Sequence, residues 1–311
     1  MAEVNRGVRK KEIRVGLVLY GGISLAIYIY GVVFEFLRAV RASDENGEEN
    51  SYSPVINETG NRLTVDIISG ASAGGINGVM LAKAICNGNS TGSFKSLRDF
   101  WVENADFSLL LRPGRPEMAA LLDEEFFEDA GRKALDKLDI DSQKSGDRTP
   151  RIPQILDLFI TTTDLSGQVL SGEQLVQNKL QQKIQTRDYR RIFHLKHRPY
   201  DRQVFSKANN DLLTKICRAT SAFPVAFRPL KLKKGDKFTK NMNGSIDTEA
   251  IYLADGGVLN NKPFSETIAT IFKRSAVGEV DRMLFYVEPD PETFSRQTED
   301  NGEPDFWEVV I

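Results

Sequence analysis

Ser72 is the residue best placed by its neighbours to do chemistry. It centres the segment Gly70-Ala71-Ser72-Ala73-Gly74, which follows the apolar, β-branched run Asp66-Ile67-Ile68-Ser69. Gly-x-Ser-x-Gly between a strand and a helix is the layout of a nucleophile elbow, a tight turn that lifts a serine hydroxyl clear of a sheet. Glycines at 70 and 74 spare the crossing backbone a Cβ collision. A helix starting just after Ser72 aims unpaired N–H groups, that of Ala73 among them, at any oxyanion formed there. The same five residues also read as a glycine-rich strand–helix turn with an idle serine, so its partners must decide.

An attacking serine needs a base and donors for the oxyanion. The chain has two histidines, His194 and His197. Both lie in a basic stretch rather than at the end of an apolar strand, and neither follows Asp255. The Ser–Asp/Glu–His order of α/β-hydrolases is therefore missing, and a carboxylate becomes the better base. Asp255 closes the apolar run Ile251–Ala254 and precedes Gly256-Gly257, a turn at the carboxyl edge of a sheet, where open α/β folds gather their sites. An aspartate with an ordinary pKa of about 4 is a weak base, and burial strengthens it. The competing reading is an aspartate bonded within its own turn. Gly21 and Gly22 follow the first apolar strand at the same edge and offer backbone donors. A nucleotide loop is poorly supported, because neither Gly-x-Gly-x-x-Gly there nor Gly-x-x-x-x-Gly-Lys-Ser/Thr anywhere is present.

The elements that must position these residues follow from periodicity. A strand over Ile13–Leu19, a glycine turn and a helix from about Ser24 to Val40 explain the uncharged run Val15–Phe34 better than a membrane span. Gly21-Gly22 interrupts that run, and Glu35 and Arg38 continue its helical period. Residues 41–62 read as a surface loop, Ala73–Cys86 and Ser93–Glu103 as helices, and 106–147 as a helical region ending in a loop over 141–149. Ile155–Thr163 and Gly167–Ser171 read as a strand pair around Asp164-Leu165-Ser166-Gly167. A helix over Asn209–Thr220, a strand over Phe227–Lys231 and a polar loop over Lys233–Thr248 come next. Beyond Asp255, a helix near Lys262–Arg274 and a strand over Arg282–Val287 complete the pattern. Strands alternating with helices predict an α/β fold with a mostly parallel sheet. The expected organisation is a basic tail over 1–12, one domain over 13–288, and an acidic linker over 289–311 that opens onto a further region at Phe306–Ile311.

The 311 residues carry a net charge of −2, with 41% hydrophobic and 27% charged residues. That balance has no global field for nucleic acid, and no basic repeat or nucleic-acid module is present, so nucleic acid is not an expected partner. Cys86 and Cys217 lack metal-ligand spacing and read as reduced core residues of a cytoplasmic protein. Lys183–Arg202 interleaves seven cations with Tyr189, Phe193 and Tyr200. It reads either as a peripheral contact for anionic lipid headgroups or as a solvated face. Phe107–Leu111 is a candidate lid or acyl-chain wall, with core packing an equal explanation.

In chain order, Leu19-Tyr20-Gly21-Gly22-Ile23-Ser24, Gly70–Gly74, Thr162–Gly167, Ala219–Phe227 and Asp255-Gly256-Gly257 resemble the motifs of the patatin-like phospholipases. The resemblance covers roughly residues 12 to 288. It implies a three-layer patatin-like fold, a central mostly parallel sheet flanked by helices. It also implies a Ser72–Asp255 dyad without histidine, an oxyanion hole from Gly21, Gly22 and Ile23 with Ala73, and metal-independent hydrolysis of acyl lipids without a cofactor. No calcium loop of the Asp-x-Asp-x-Asp-Gly kind is evident. One departure stands out. The family loop reads Gly-Gly-Gly-x-Arg/Lys-Gly, and here Tyr20 and Ser24 replace its first glycine and its cation. The replacement implies either a slower site, in the limit a binding or regulatory module of a larger protein, or a subfamily in which Ser24 caps the following helix.

Overall fold

A computed structural model of the protein describes residues 11–22, 26–44, 47–104, 120–144, 155–176, 179–201, 203–276 and 278–288. Strand β1 (Glu12–Leu19) leads into helix α1 (Ala26–Ala42), the short α2 (Ser53–Thr59) and strand β2 (Arg62–Gly70). Helix α3 (Ser72–Asn87) follows, then α4 (Lys95–Asp99) with a π-helical turn, and α5 (Glu124–Lys144). The chain returns as the long hairpin β3 (Leu156–Val176) and β4 (Lys179–His197), and then helix α6 (Asn210–Thr220). Strands β5 (Leu230–Lys233) and β6 (Ala250–Asp255), helix α7 (Phe264–Lys273) and strand β7 (Val280–Val287) complete it.

The sheet has the order β5-β6-β3-β2-β1-β7, with β4 on β3. The pairs β1–β2, β1–β7 and β2–β3 are parallel, whereas β4, β5 and β6 run antiparallel to their partners. Val65, Ile67, Ile68, Leu17 and Leu19 are fully buried because both faces are covered. Alternate side chains on a strand point to opposite faces. A Cβ on Gly78 of α3 would meet Ile68, Leu19 and Leu158, and one on Gly16 of β1 would meet Thr267 and Ile271 of α7. Helices α1 and α3 therefore cover one face and α7 the other, the three layers of an α/β fold. No helix among the described residues is long and apolar enough to cross a membrane.

Several sequence expectations need correction. The stretch 41–62 holds a helix, α2, which Pro54 starts by supplying a preset φ in its first turn. Helix α5 continues to Lys144, into residues assigned to a loop. Gly167–Ser171 is not a second strand paired with Ile155–Thr163. Both belong to β3, whose partner is β4, with a register shift between Thr163 and Gln168. The polar Asp164–Gly167 segment imitates a hairpin turn in sequence and is a bulge in the fold. The strand placed at Phe227–Lys231 is β5, three residues later. Glu12, assigned to the tail, opens β1. Phe107–Leu111, residues 1–10 and residues 289–311 lie outside the described residues.

Candidate active site

The topology of β3 brings two distant strand ends together. Its Leu156–Thr163 stretch carries β4 on one edge. On the other edge β2 runs parallel as far as Gly70, opposite Ile160. From the opposite direction β6 runs antiparallel and ends at Asp255, opposite Thr162. Two carboxyl ends meet there with Thr161 between their last partners, and the residues just past each end face one another.

Ser72 is one of them. Its Oγ donates a hydrogen bond to Asp255 Oδ2 at 2.7 Å, across 183 residues of sequence. Ser72 has φ 50°, in the left-handed region that residues with a Cβ avoid. Such strain persists where the surroundings over-determine it. Here the Ser72 N–H donates to Thr220 Oγ1 at 2.9 Å, and Thr220 Oγ1 donates to the Thr161 carbonyl at 2.8 Å. Close backbone packing fixes the elbow. A Cβ on Gly74 would stand 2.4 Å from the carbonyl oxygens of Leu19 and Tyr20, and one on Gly70 would stand 2.7 Å from the Gly74 oxygen.

Asp255 is 1% exposed. Burial raises its carboxyl from 3.8 to about 6, and hydrogen bonds from Ser72 and the Gly257 N–H pull it only partly back. The Gly257 N–H donates to Asp255 Oδ1 at 2.6 Å. A Cβ on Gly256 would stand 2.3 Å from the Thr161 oxygen, so this turn also needs a bare backbone. The Asp255 backbone is held from both sides: its N–H donates to the Ala222 carbonyl at 2.9 Å, and its carbonyl accepts from Thr163 Oγ1 at 2.8 Å. A buried carboxylate titrating near neutrality and bonded to a serine hydroxyl is equipped to take that hydroxyl's proton.

The glycine loop after β1 lies against the same pair. A Cβ on Gly21 would stand 3.0 Å from Ser72 Cβ. The Gly21 N–H, expected to face an oxyanion, donates instead to Asn261 Oδ1 at 2.7 Å. Gly22 follows, half-buried, Ala73 opens the first turn of α3, and Ile23 lies outside the described residues. Phe223 and Val225, just after Ala222, whose carbonyl accepts from the Asp255 N–H, and Val258 and Leu259, just after the Gly256-Gly257 turn, are exposed apolar side chains.

The histidines are placed elsewhere. His194 Nε2 and Asp157 Oδ1 lie 2.6 Å apart, and the imidazole stacks on Phe159 at 4.1 Å between ring centroids. His197 is buried opposite Leu156, at the amino end of β3. The basic stretch is also divided by the fold. Arg191 is 2% exposed and holds Asp164 Oδ2 at 3.0 Å, whereas Arg187, Arg190 and Lys196 are exposed. Reading the whole stretch as a surface face thus fails at Arg191. Sequence reasoning missed Thr161, which carried no motif, and Asn261, six residues after Asp255, and it gave Thr163 no role although Thr163 lies in the recognised Thr162–Gly167 segment. Thr220 fell inside a recognised segment but without a role.

A sequence model described as patatin-like phospholipase matches residues 17–268. An uncharacterized membrane protein of Mycobacterium tuberculosis, Rv3479, is 29% identical over 313 residues, covering 90% of this chain and 27% of that relative, so the chain spans about a quarter of its length. The crystal structure of VipD from Legionella pneumophila aligns with 88% of this chain and 50% of its own, at 12% identity and a TM-score of 0.36. By its match over most of its length, the chain belongs to the patatin-like phospholipase family.

Proposed function

We propose that the protein is a lipid acyl hydrolase of the phospholipase A or esterase type, acting through a Ser72–Asp255 dyad and an acyl-enzyme. The observation that carries this reading is the 2.7 Å bond from Ser72 Oγ to a buried Asp255 whose pKa is about 6. Ser72 Oγ attacks the ester carbonyl carbon while its proton passes to Asp255 Oδ2. The tetrahedral oxyanion is held by backbone N–H groups of the glycine loop, Gly22 and Ile23, with Ala73 at the start of α3. Collapse breaks the ester C–O bond, and Asp255 returns the proton to the leaving alcohol. Water then attacks the acyl-enzyme as Asp255 takes its proton, and that proton returns to Ser72 Oγ as the fatty acid leaves. No step calls on a metal. Exposed apolar side chains on the segments adjoining Asp255, those of Phe223, Val225, Val258 and Leu259, favour an acyl chain over a polar substrate.

Peripheral contact with anionic lipid through the exposed Arg187 and Arg190 extends the reading. It is checked by vesicle binding of a variant reversed at those two residues. Cytoplasmic residence is supported by the buried, unbridged thiols of Cys86 and Cys217, the latter pushed up to about 12 by burial. A second reading, a catalytically weak module with a binding role in a longer protein, is favoured by Tyr20 and Ser24 in the glycine loop and by the engaged Gly21 N–H. Labelling with a fluorophosphonate separates the two. The hydrolase labels at Ser72 and loses labelling on Ser72→Ala, whereas the binding module stays unlabelled.

A further inference from the structure

We propose that Asn261 is a positioning residue for the oxyanion loop, clamping it to the turn that carries the base. This rests on the hydrolase reading above. Asn261 follows the 3-10 turn Gly256–Val258. Its Oδ1 accepts from the Gly21 N–H at 2.7 Å, and its Nδ2 donates to the Gly21 carbonyl at 3.4 Å. The carboxamide thus reads both polar groups of one residue, across 240 positions of sequence. The fit has no slack: a Cβ on Gly21 would stand 2.3 Å from Asn261 Oδ1 and 3.0 Å from Ser72 Cβ. On the other side, a Cβ on Gly257 would stand 3.0 Å from Asp255 Oδ1 and 3.2 Å from Asn261 Oδ1. The Asn261 and Asp255 side chains therefore flank one glycine, with the nucleophile and the glycine loop against them.

Two consequences follow. The Gly21 amide is spent on Asn261, so it orients the loop, and oxyanion binding falls to the amides after it. The loop's position relative to Ser72 is set by the Asp255 turn itself, so base and donors move as one body. Misplacing such donors by about 1 Å costs on the order of 10²-fold in rate. The anchor for Asn261 is separate from its clamp. Thr161 Oγ1 donates to the Asn260 carbonyl at 3.0 Å, and the Asn260 N–H donates to the Gly256 carbonyl at 2.8 Å. Removing the carboxamide leaves these bonds in place.

The experiment compares wild type, Asn261→Ala and Asn261→Asp in fluorophosphonate labelling rate, in turnover of a short-chain monomeric ester, and in hydrogen exchange of the segment holding Gly21. In Asn261→Ala, kcat and labelling should fall about 10²-fold, with KM within about twofold and faster exchange confined to that segment. Asn261→Asp keeps an acceptor for the Gly21 N–H, so it should label faster than Asn261→Ala. It also sets a second carboxylate beside Asp255, which should move the rate profile to higher pH. Wild-type kcat and exchange in Asn261→Ala overturn the proposal. So does an Asn261→Asp variant no better than Asn261→Ala, or a loss of rate matched by exchange across the whole sheet. If wild type itself neither labels nor turns over, the hydrolase reading fails and the catalytic role of Asn261 with it. Exchange at Gly21 then still decides whether the clamp exists.

Discussion

Two buried aspartates on this sheet are pushed in opposite directions. Asp255, 1% exposed at the carboxyl end of β6, is raised to about 6 because burial meets only a hydroxyl and one N–H. Asp157, 2% exposed near the amino end of β3, is also pushed up by burial. There His194 and Arg198 donate to it and the Arg274 charge faces it, and together they hold it at about 2. Burial sets the scale in both, and the partners set the sign. The difference explains why the histidine that a serine hydrolase would ordinarily recruit is on the wrong aspartate. His194 helps to hold a permanent anion on β3, whereas the carboxylate bonded to Ser72 is the one that burial raises toward neutrality.

That contrast can be broken in order of expected effect. Asp255→Asn should lower turnover by about 10⁴-fold, the order lost when a dyad or triad carboxylate is neutralised. Its melting temperature at pH 8 should be equal to or above that of wild type. The sign follows from linkage: the native state binds the extra proton between pH 3.8 and about 6, so stability falls as pH rises through that window. Removing the charge relieves the cost. Asp157→Asn should do the reverse, with turnover within a few-fold of wild type and about 3 kcal/mol lost in denaturant unfolding at pH 7, because three basic side chains lose their carboxylate. Asp157's depressed pKa contributes stability that is complete above pH 3.8 and is lost as pH falls toward about 2. An Asp157→Asn protein as stable as wild type would collapse the comparison.

Rates against pH sharpen it further. kcat/KM should rise with a single apparent pKa near 6 and reach a plateau above pH 7, as a free base requires. A profile flat from pH 5 to 8 would remove Asp255 from the role. The smallest effect is expected from the double substitution His194→Gln and His197→Gln, which should leave the Ser72 labelling rate within about twofold. A large loss of labelling with intact folding would restore a histidine mechanism.

What could be read from the sequence depended on whether the signal was local. Gly70–Gly74 announced itself because the elbow needs bare backbone at fixed offsets. Asp255 did so because an apolar strand runs into two glycines. Strands β1 and β6 and helices α3 and α6 appear within a residue or two of their expected places. Strand β2 contains the expected apolar run but begins four residues earlier, at Arg62, inside the stretch assigned to a loop. What failed was non-local. The β3 bulge looks like a hairpin turn until β4 is present to pair with both of its sides. Arg191 looks like a surface cation until Asp164, 27 residues earlier, is folded against it. The Gly21 amide looks like a free donor until Asn261 arrives from 240 residues away. No window of sequence contains those partners.

The central claim, that Ser72 and Asp255 together cleave acyl esters, is tested most directly by fatty-acid release from mixed phospholipid vesicles in the presence of a chelator. Wild type, Ser72→Ala and Asp255→Asn are compared. The account predicts release by wild type that the chelator leaves unchanged and that either substitution removes. Release that persists in Asp255→Asn, or that the chelator abolishes, would contradict it.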